Sequence, residues 1–389
     1  MASDGGGSDD EMSKNHGAAA RRAKRKHEKE QKRKKRPPHR PLGVSARPAV
    51  PASAPEIRWQ PEIQGIEGLA ALAQVPFYEA ACMADCLARS HARASRPLAD
   101  AVWTRDRVCA LETSALVARL EQLGIRVDHG AFIAETPRFG SAVRWARETW
   151  LPFAPAHADV HARDFITLAA CELWKRWRPE PPSQESLHEL LVLGEDHADR
   201  EDDIAATEHW IRFWRALQPL LTPELRTTSA AGELLEVDAS VLFNWASDFS
   251  MVATYVAGQD AAVGLRAAEV QGEILAQFSA EQESWRLPLV CDRAEVLYVA
   301  GERIEAERIL REQIEAHPTS AGAYVRLAEL WAPYGIDDRE AITRALALLV
   351  QAAARPVEDA ASWDLDVRIK ALRKQLQACG GDGRKAATA

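Results

Sequence analysis

One constant spacing relates two neighbouring segments in the last third of the chain. Each segment presents a large apolar residue, a small residue, a second large apolar residue and then a glycine. The pairs are Val290 and Tyr324, Ala294 and Ala328, Leu297 and Trp331, and Gly301 and Gly335. This order is typical of a helix that packs closely at its small residue and ends at a glycine with positive φ. The spacing therefore predicts two consecutive helix pairs, Val290–Pro318 and Tyr324–Pro356.

The second helix of the first pair supports the same interpretation. Ala306 is small, Leu310 is bulky, and Pro318 cannot continue a helix. This order resembles the tetratricopeptide repeat, a pair of antiparallel helices that recurs every ~34 residues, which is also the spacing found here. The matching residues are Ala294, Ala306, Leu310 and Pro318 within 287–320, and Tyr324, Leu327, Ala328 and Trp331 within 321–356, where Ala341 takes the small position after a shift of one. The alternative is a pair of generic amphipathic hairpins.

Further units are expected on both sides of these two pairs. One repeat cannot bury its apolar face alone, so about three or more are normally stacked. We expect Ser240–Phe278 to form a preceding pair with a turn near Gly258. We expect Asp359–Leu376 to form the closing helix. Its residues expected to face the stack are Trp363, Val367 and Leu372.

The resemblance to tetratricopeptide repeats implies a groove lined by the first helix of each pair. The positions implied on this groove are Glu295, Tyr298, Val325 and Glu329. Some members of the family hold a partner's C-terminal carboxylate with Lys, Arg and Asn on this face. Because these four positions are acidic, aromatic or aliphatic, the expected ligand is a basic or apolar peptide or helix.

A second resemblance covers about Asp164–Leu376. Bacterial proteins with a helical-repeat body and a short SEC-C zinc-binding motif have segments similar to "DFITLAACELWKRWRPEPPSQESLHELL" and, later, "RAEVLYVAGERIEAERILREQI". Their motif is a tight cysteine cluster around a Cys-Gly-Ser-Gly-Lys core. This chain has only "CGGDGRK" at Cys379–Lys385, with one cysteine. No metal is therefore expected there.

Apolar residues at helical spacing continue through most of the remaining chain. They predict helices over Val75–Ala94, Leu98–Gly124 and Asp164–Trp177, with Gly124 as a helix-ending glycine. Ser186, three residues before Glu189, suggests a helix start. No convincing strand pattern is found, and "IRVDHGAFI" is the weakest helical segment. The expected fold class is all-α, with helical hairpins that end in a short tetratricopeptide-like solenoid.

The formal net charge of −8 hides a strong asymmetry. Arg21–Arg40 holds 12 Lys and Arg against two Glu, a net of +10, so the other residues sum to −18. The composition of residues 1–61 predicts a disordered basic arm, with a Pro-rich linker at its end. The expected polyanion-binding residues are Arg21, Arg22, Lys24, Arg25, Lys26, Lys32, Arg33, Lys34, Lys35 and Arg36. The alternatives are a solubilising tail or a tail that folds back on the acidic body.

The predicted organisation has four parts. A basic arm and linker over 1–61 precede an N-terminal helical domain over 62–180, a repeat domain over 181–378 and a disordered tail over 379–389.

The N-terminus lacks a secretory signal, and the longest apolar run, Ala345–Ala354, is too short for the ~18 residues of a membrane span. Six scattered cysteines fit free thiols in a reducing compartment. These features predict a cytoplasmic protein that does not enter a membrane.

Three clusters contain residue types that can bind a metal. Cys82 and Cys86 lie one helical turn apart, but zinc sites need about four ligands, so buried structural thiols are the expected role. His157 and His161 lack the glutamate of a zincin helix. The carboxylates of Gly194–Asp203 lack calcium-loop spacing, which favours a solvated helix start. No metal, cofactor or catalytic residue is predicted.

The expected function is a non-enzymatic interaction scaffold that holds a peptide or helix of another protein in the repeat groove. The first alternative is a nucleic-acid- or ribosome-associated protein in which residues 21–40 bind a polyanion, RNA or DNA. The second alternative is a metal-dependent enzyme in the N-terminal helical domain. Convergence of polar groups in a pocket would discriminate this last case.

The arm makes a prediction that depends only on its charge. We expect the full-length chain to bind RNA or DNA with little sequence preference and with an affinity that falls steeply with salt, because binding releases condensed counterions. Removal of residues 1–40 should abolish this binding and leave thermal unfolding nearly unchanged. Mobility-shift titrations at two salt concentrations test both chains. Equal binding by the truncated protein would move the site into the helical body.

Overall fold

Helix is the only regular secondary structure in the described residues, which are 61–75, 77–93, 102–155, 158–235, 237, 239–333 and 337–385 of a computed structural model. The all-α class predicted from the sequence is thereby confirmed for this part of the chain. None of these helices is long and apolar enough to cross a membrane.

The helices are numbered in chain order. They are α1 Pro61–Ala73, α2 Phe77–Arg93, α3 Arg105–Cys109, α4 Thr113–Gln122, α5 His129–Glu135, α6 Ala142–Trp145, α7 Val160–Trp177, α8 Gln184–Asp199, α9 Asp203–Leu217, α10 Thr228–Leu234, α11 Ala239–Ala257, α12 Ala261–Gln277, α13 Glu283–Ala300, α14 Arg303–Ala316, α15 Ala321–Trp331, α16 Arg339–Ala353 and α17 Leu365–Lys385. A π-helical turn, Ala146–Trp150, follows α6.

Helix α7 is the centre of the N-terminal half. Its residues from Asp164 to Ala170 are all buried, and α1, α4 and the π-helical turn pack against it. Aromatic rings fill the space around Phe132, whose ring centroid lies 4.6 Å from that of Trp145 and 5.3 Å from that of Trp177. Large aromatic side chains bury much apolar area, which stabilises this core. These aromatic side chains therefore pack the helices of the N-terminal half against one another.

The predicted helix over Leu98–Gly124 is wrong in one respect, because two helices occupy this stretch. Thr104 caps α3, which ends at Cys109, and α4 begins at Thr113. Residues 98–101 lie outside the described residues. Gly124 has a φ of 79° and donates to the Glu121 carbonyl, so its predicted role as a helix-ending glycine is confirmed.

Antiparallel helix pairs make up most of the described residues after α7, and the short helix α10 packs against α11. The pairs are α8 with α9, α11 with α12, α13 with α14, and α15 with α16, and α17 closes the series against α16. The first helices α11, α13 and α15 also pack on one another in sequence order. Each pair thus buries its apolar face against the next, as in other stacked helical repeats. The predicted pair over Ser240–Phe278 corresponds to α11 and α12.

The two segments related by the constant spacing both form helix pairs. Ala294 and Ala306 are fully buried between the helices of the first pair. Gly301 has a φ of 107° and ends α13, with the Glu302 amide donating to the Leu297 carbonyl at 2.8 Å. Its counterpart Gly335 lies outside the described residues. Hence the paired helices are confirmed, and the equivalence of the two glycines stays a prediction.

Three details of the predicted repeat domain are wrong. Val367 is 63% exposed, because the buried stripe of α17 runs through Leu365, Ile369 and Leu372 instead. Helix α8 begins after Ser183, whose hydroxyl accepts from the Ser186 amide, so Ser186 is not the cap. Helix α17 continues to Lys385 rather than ending near residue 378.

Carboxylates from other parts of the chain accept hydrogen bonds from the first amides of four helices and from the amide that follows the kink of α1 at Gly65. These contacts join Ile66 N to Asp164 (2.7 Å), Arg105 N to Asp85 (2.9 Å), Ala142 N to Glu185 (2.9 Å), Thr228 N to Glu281 (2.6 Å) and Ala321 N to Asp359 (2.6 Å). A negative charge at a helix N-terminus satisfies free amides and complements the helix dipole. The contact between Ala142 and Glu185 joins residues on the two sides of residue 180, where the N-terminal helical domain was predicted to end. The described residues belong to one compact unit.

Close approach of α11 and α12 predicts the effect of a single methyl group. A Cβ at Gly264 would lie 2.7 Å from the Cα of Ala257, a backbone atom that cannot move aside. We expect Gly264→Ala to lower the free energy of unfolding by about 1–3 kcal/mol through overpacking. Gly130→Ala on α5 is the control, since its Cβ meets only the Asp128 carboxylate at 3.3 Å. Urea unfolding of both variants checks this, and equal losses would contradict it.

Candidate functional site: an ionic row across three helices

Charged side chains form a continuous row across α13, α15 and α17. The members of this ionic row are Asp292 and Glu295 on α13, Arg326 and Glu329 on α15, and Arg368 on α17. Within α13 and within α15 the two members are three residues apart, so each pair lies on one face of its helix. The row therefore crosses the first helices of two successive pairs and the closing helix.

Arg326 is the centre of the ionic row. Its guanidinium lies 2.7 Å from the Glu295 carboxylate, 3.4 Å from Asp292 and 3.5 Å from Glu329. Glu329 also pairs with Arg368, and Arg368 Nε donates to the Trp363 carbonyl at 2.8 Å. One guanidinium thus joins three carboxylates from two helices, and a second continues the row to α17.

The ionic row is partly shielded from water. The side chain of Arg326 is 17% exposed, whereas those of Asp292 and Glu295 are each 21% exposed. Burial disfavours the charged guanidinium, but the carboxylates of Glu295 and Asp292 outweigh this and raise the pKa of Arg326. Arg326 therefore stays charged, and its ion pairs are stronger than those of a fully solvated pair.

The ionic row repeats along the sequence with the same period as the apolar residues. Asp292 and Arg326 are 34 residues apart and contact each other directly. Glu295 and Glu329 have the same spacing. Equivalent positions on α13 and α15 therefore lie side by side, and opposite charges at one of these positions hold the two helices in register.

The structure brings together only part of the predicted groove. Glu295 and Glu329 meet at Arg326, as their equivalent positions suggest. Tyr298 is half-buried, with the Arg303 guanidinium 5.3 Å from its ring centroid. Val325 is fully buried in the core and cannot contact a partner, so its assignment to the groove surface is wrong.

Sequence reasoning missed the residues that organise the row. Asp292, Arg326 and Arg368 were not predicted, because the repeat pattern records apolar and small positions only. The opposite charges at Asp292 and Arg326 were a usable signal, since they share the 34-residue offset. Arg368 had no comparable signal, because the sequence does not show which face of α17 meets α15. The predicted polyanion-binding residues, Arg21 to Arg36, lie outside the described residues.

Cys82 belongs to a partly buried polar cluster of the N-terminal half, whereas Cys86 is exposed, so the predicted role of a buried thiol is wrong for Cys86. Arg105 donates to the Cys82 sulfur at 2.9 Å and to the Tyr78 hydroxyl at 3.0 Å, and it pairs with Asp85 and Glu189. Burial raises the pKa of the Cys82 thiol, which opposes its use as a nucleophile. The cluster thus ties α2, α3 and α8 together.

The other proposed ligand clusters also serve the fold. Asp202, at the end of the acidic segment Gly194–Asp203, caps α9 through the Ala205 amide. The segment therefore ends α8 and starts α9, rather than only starting a helix. His161 is buried on α7, and His157 lies outside the described residues. Within the described part of the chain, no group of three or more His, Cys, Asp or Glu residues is placed to hold a metal ion.

A cleft of about 390 Å³ lies beside the start of α13. Its walls include Glu283, His317, Glu358 and Asp359. Asp359 accepts from the Ser320 hydroxyl and the Ala321 amide, and Glu283 lies 2.6 Å from His317 Nδ1. The carboxylates of Asp359 and Glu283 therefore already have partners within the protein. They are less available to bind a ligand in this cleft.

The ionic row predicts a stability difference between two arginines. Arg326→Ala removes the guanidinium that joins three partly buried carboxylates, of which Glu329 also pairs with Arg368, so we expect the free energy of unfolding to fall by about 1–3 kcal/mol. Arg308→Ala is the matched control, because Arg308 also pairs with two carboxylates but is 52% exposed. Its loss should be clearly smaller, since solvent screens exposed pairs. Chemical denaturation measures both, and equal losses would contradict a special role for Arg326.

Comparison with known proteins does not assign this chain to a family. No family model matches the sequence, and no curated protein or solved structure is significantly similar to it. The resemblance of residues 287–356 to tetratricopeptide repeats therefore rests on the residues quoted above. The stacked helix pairs and the ionic row are the features on which a proposal for the function can rest.

Proposed function

We propose that this chain is a non-enzymatic interaction scaffold that binds a segment of another protein along the face of α13, α15 and α17. The observation that carries the proposal is the ionic row, which places fixed charges from three helices on one partly exposed face. Helical-repeat proteins commonly use extended surfaces of this kind to bind partners.

The charges of the ionic row indicate the chemistry of the partner. The row contains three carboxylates, Asp292, Glu295 and Glu329, against the two guanidinium groups of Arg326 and Arg368. The face therefore carries an excess negative charge. A partner segment with basic side chains complements it, whereas an acidic segment would be repelled. Tyr298 adds a half-buried aromatic surface beside the row.

The ion pairs also give the face a fixed shape. Side chains that are already held by Arg326 lose little conformational freedom on binding, which lowers the entropic cost of association. The same pairs keep α13 and α15 in register, so the spacing of the charges is set by the stack. A rigid, charged face suits recognition of a short segment better than it suits catalysis, which needs convergent groups around a reacting atom.

Site-specific photo-crosslinking tests the proposal. A photoreactive phenylalanine analogue at Tyr298 should crosslink to a protein partner, and the same analogue at Arg308, on the exposed side of α14, should not. Replacing Glu295 and Glu329 by glutamine should reduce the Tyr298 crosslink, because the charge that attracts a basic segment is lost. Equal crosslinking from both positions would contradict a groove. Crosslinks to RNA alone would favour the polyanion-binding alternative.

A further inference from the structure

Three sulfur-bearing side chains share one turn of helix α2. The chain contains six Cys and four Met, and three of these residues, Cys82, Met83 and Cys86, lie within the segment "CMADC". An α-helix advances by ~100° and ~1.5 Å per residue, so the three positions span an arc of ~100° and a rise of ~6 Å. Cys86 is therefore a direct neighbour of both Cys82 and Met83 on the helix surface.

The sulfur face of α2, defined by these three residues, lies roughly opposite the face that packs into the core. The helix packs into the core through Ala80, Ala81 and Ala84. Met83, by contrast, is 38% exposed, and Cys86 is also exposed. The third sulfur-bearing side chain is half-buried. Core packing therefore does not explain why sulfur occupies these positions, and an ion can reach them from the solvent.

A guanidinium group faces each of the two thiols. Arg105 Nη1 lies 2.9 Å from Cys82 Sγ, and Arg89 Nη2 lies 3.2 Å from Cys86 Sγ. Both arginines are themselves paired with aspartates, which hold them beside the sulfurs. A nearby positive charge stabilises a thiolate, the form of cysteine that binds metals. The arginines also offset the negative charge that remains when two thiolates bind one monovalent ion.

The ligand types select a soft metal. Thiolate and thioether sulfurs favour copper(I) over harder divalent ions. Zinc needs about four ligands, and within the described residues no group of three or more His, Cys, Asp or Glu is placed to hold a metal. Copper(I) accepts low coordination numbers, so the three sulfurs of this face form a complete set of ligands.

We propose that the sulfur face of α2 binds one copper(I) ion through the thiolates of Cys82 and Cys86 and the thioether of Met83. Each thiol releases its proton as its bond to copper forms, and copper stays in the same oxidation state. Burial raises the pKa of Cys82, the charge of Arg105 opposes this, and the bond to copper replaces the proton.

This site goes beyond the ionic row and does not depend on a partner bound there. It also departs from the expectation, made from the sequence, that the chain holds no metal. That expectation counted the ligands of zinc and left out the thioether of Met83, which lies on the same turn as the two thiols.

Titration of the reduced, full-length chain with limiting copper(I) against a competing chelator tests the site. Cys82→Ser and Cys86→Ser should each weaken copper(I) binding by at least about 100-fold, because loss of a contact that only supports a ligand already costs ~10–100-fold. Met83→Leu removes only the thioether and should cause a smaller loss. Cys109→Ser is the matched control, because Cys109 is also an exposed thiol, and this variant should bind copper(I) as the native chain does.

Alkylation of the native chain gives a second readout that needs no variant. Copper(I) should protect Cys82 and Cys86 from a thiol-reactive reagent and leave Cys109 reactive, as followed by mass spectrometry of the peptides. Zinc at the same concentration should not protect them. The proposal is overturned if Cys86 is protected no better than Cys109, if zinc protects as well as copper(I), or if Cys109→Ser weakens copper(I) binding as much as Cys86→Ser does.

Discussion

Burial of one helix pair against the next is the constraint on which the rest of the structure depends. No single pair can remove its apolar face from water, so α11 to α17 are stable only as a series. Small residues at the contacts set how closely helices approach. Ala294 and Ala306 are fully buried within one pair, and Gly264 meets the backbone at Ala257 between α11 and α12. Every feature of the ionic row follows from this stacking.

Ion pairs then set the register of neighbouring helices, which apolar packing alone does not determine. Hydrophobic contacts are not directional, so two helices with similar apolar stripes can slide past each other at small cost. The pairing of Arg326 with Asp292 and Glu295 has a defined geometry and is partly buried. It favours one register of α15 on α13. The proposed binding face is thus a by-product of a contact that the stack itself needs.

Several carboxylates of the described helices serve as helix caps. Asp85, Glu185 and Asp359 each hold the first amide of a helix from another part of the chain, and Asp164 holds the Ile66 amide that follows the kink of α1 at Gly65. Such a carboxylate stabilises both the helix and the packing of the two elements. The cost of burial remains, as the raised pKa values of Asp85, about 6, and Asp164, about 7, indicate. Each of these contacts therefore combines a stabilising cap with a cost of burial.

The sequence by itself determined the class of fold, the paired helices and many of their ends. These features depend on residues a few positions apart, such as Gly124 and Gly301 at helix ends, or on a fixed period such as that of the two repeats. The tertiary structure alone decided that α3 and α4 are separate helices, that Val325 is buried while Val367 is exposed, and that Asp164 caps α1. These outcomes depend on which elements meet in space. No local propensity or periodicity encodes a contact between residues 98 positions apart, because its energy appears only after the helices have packed.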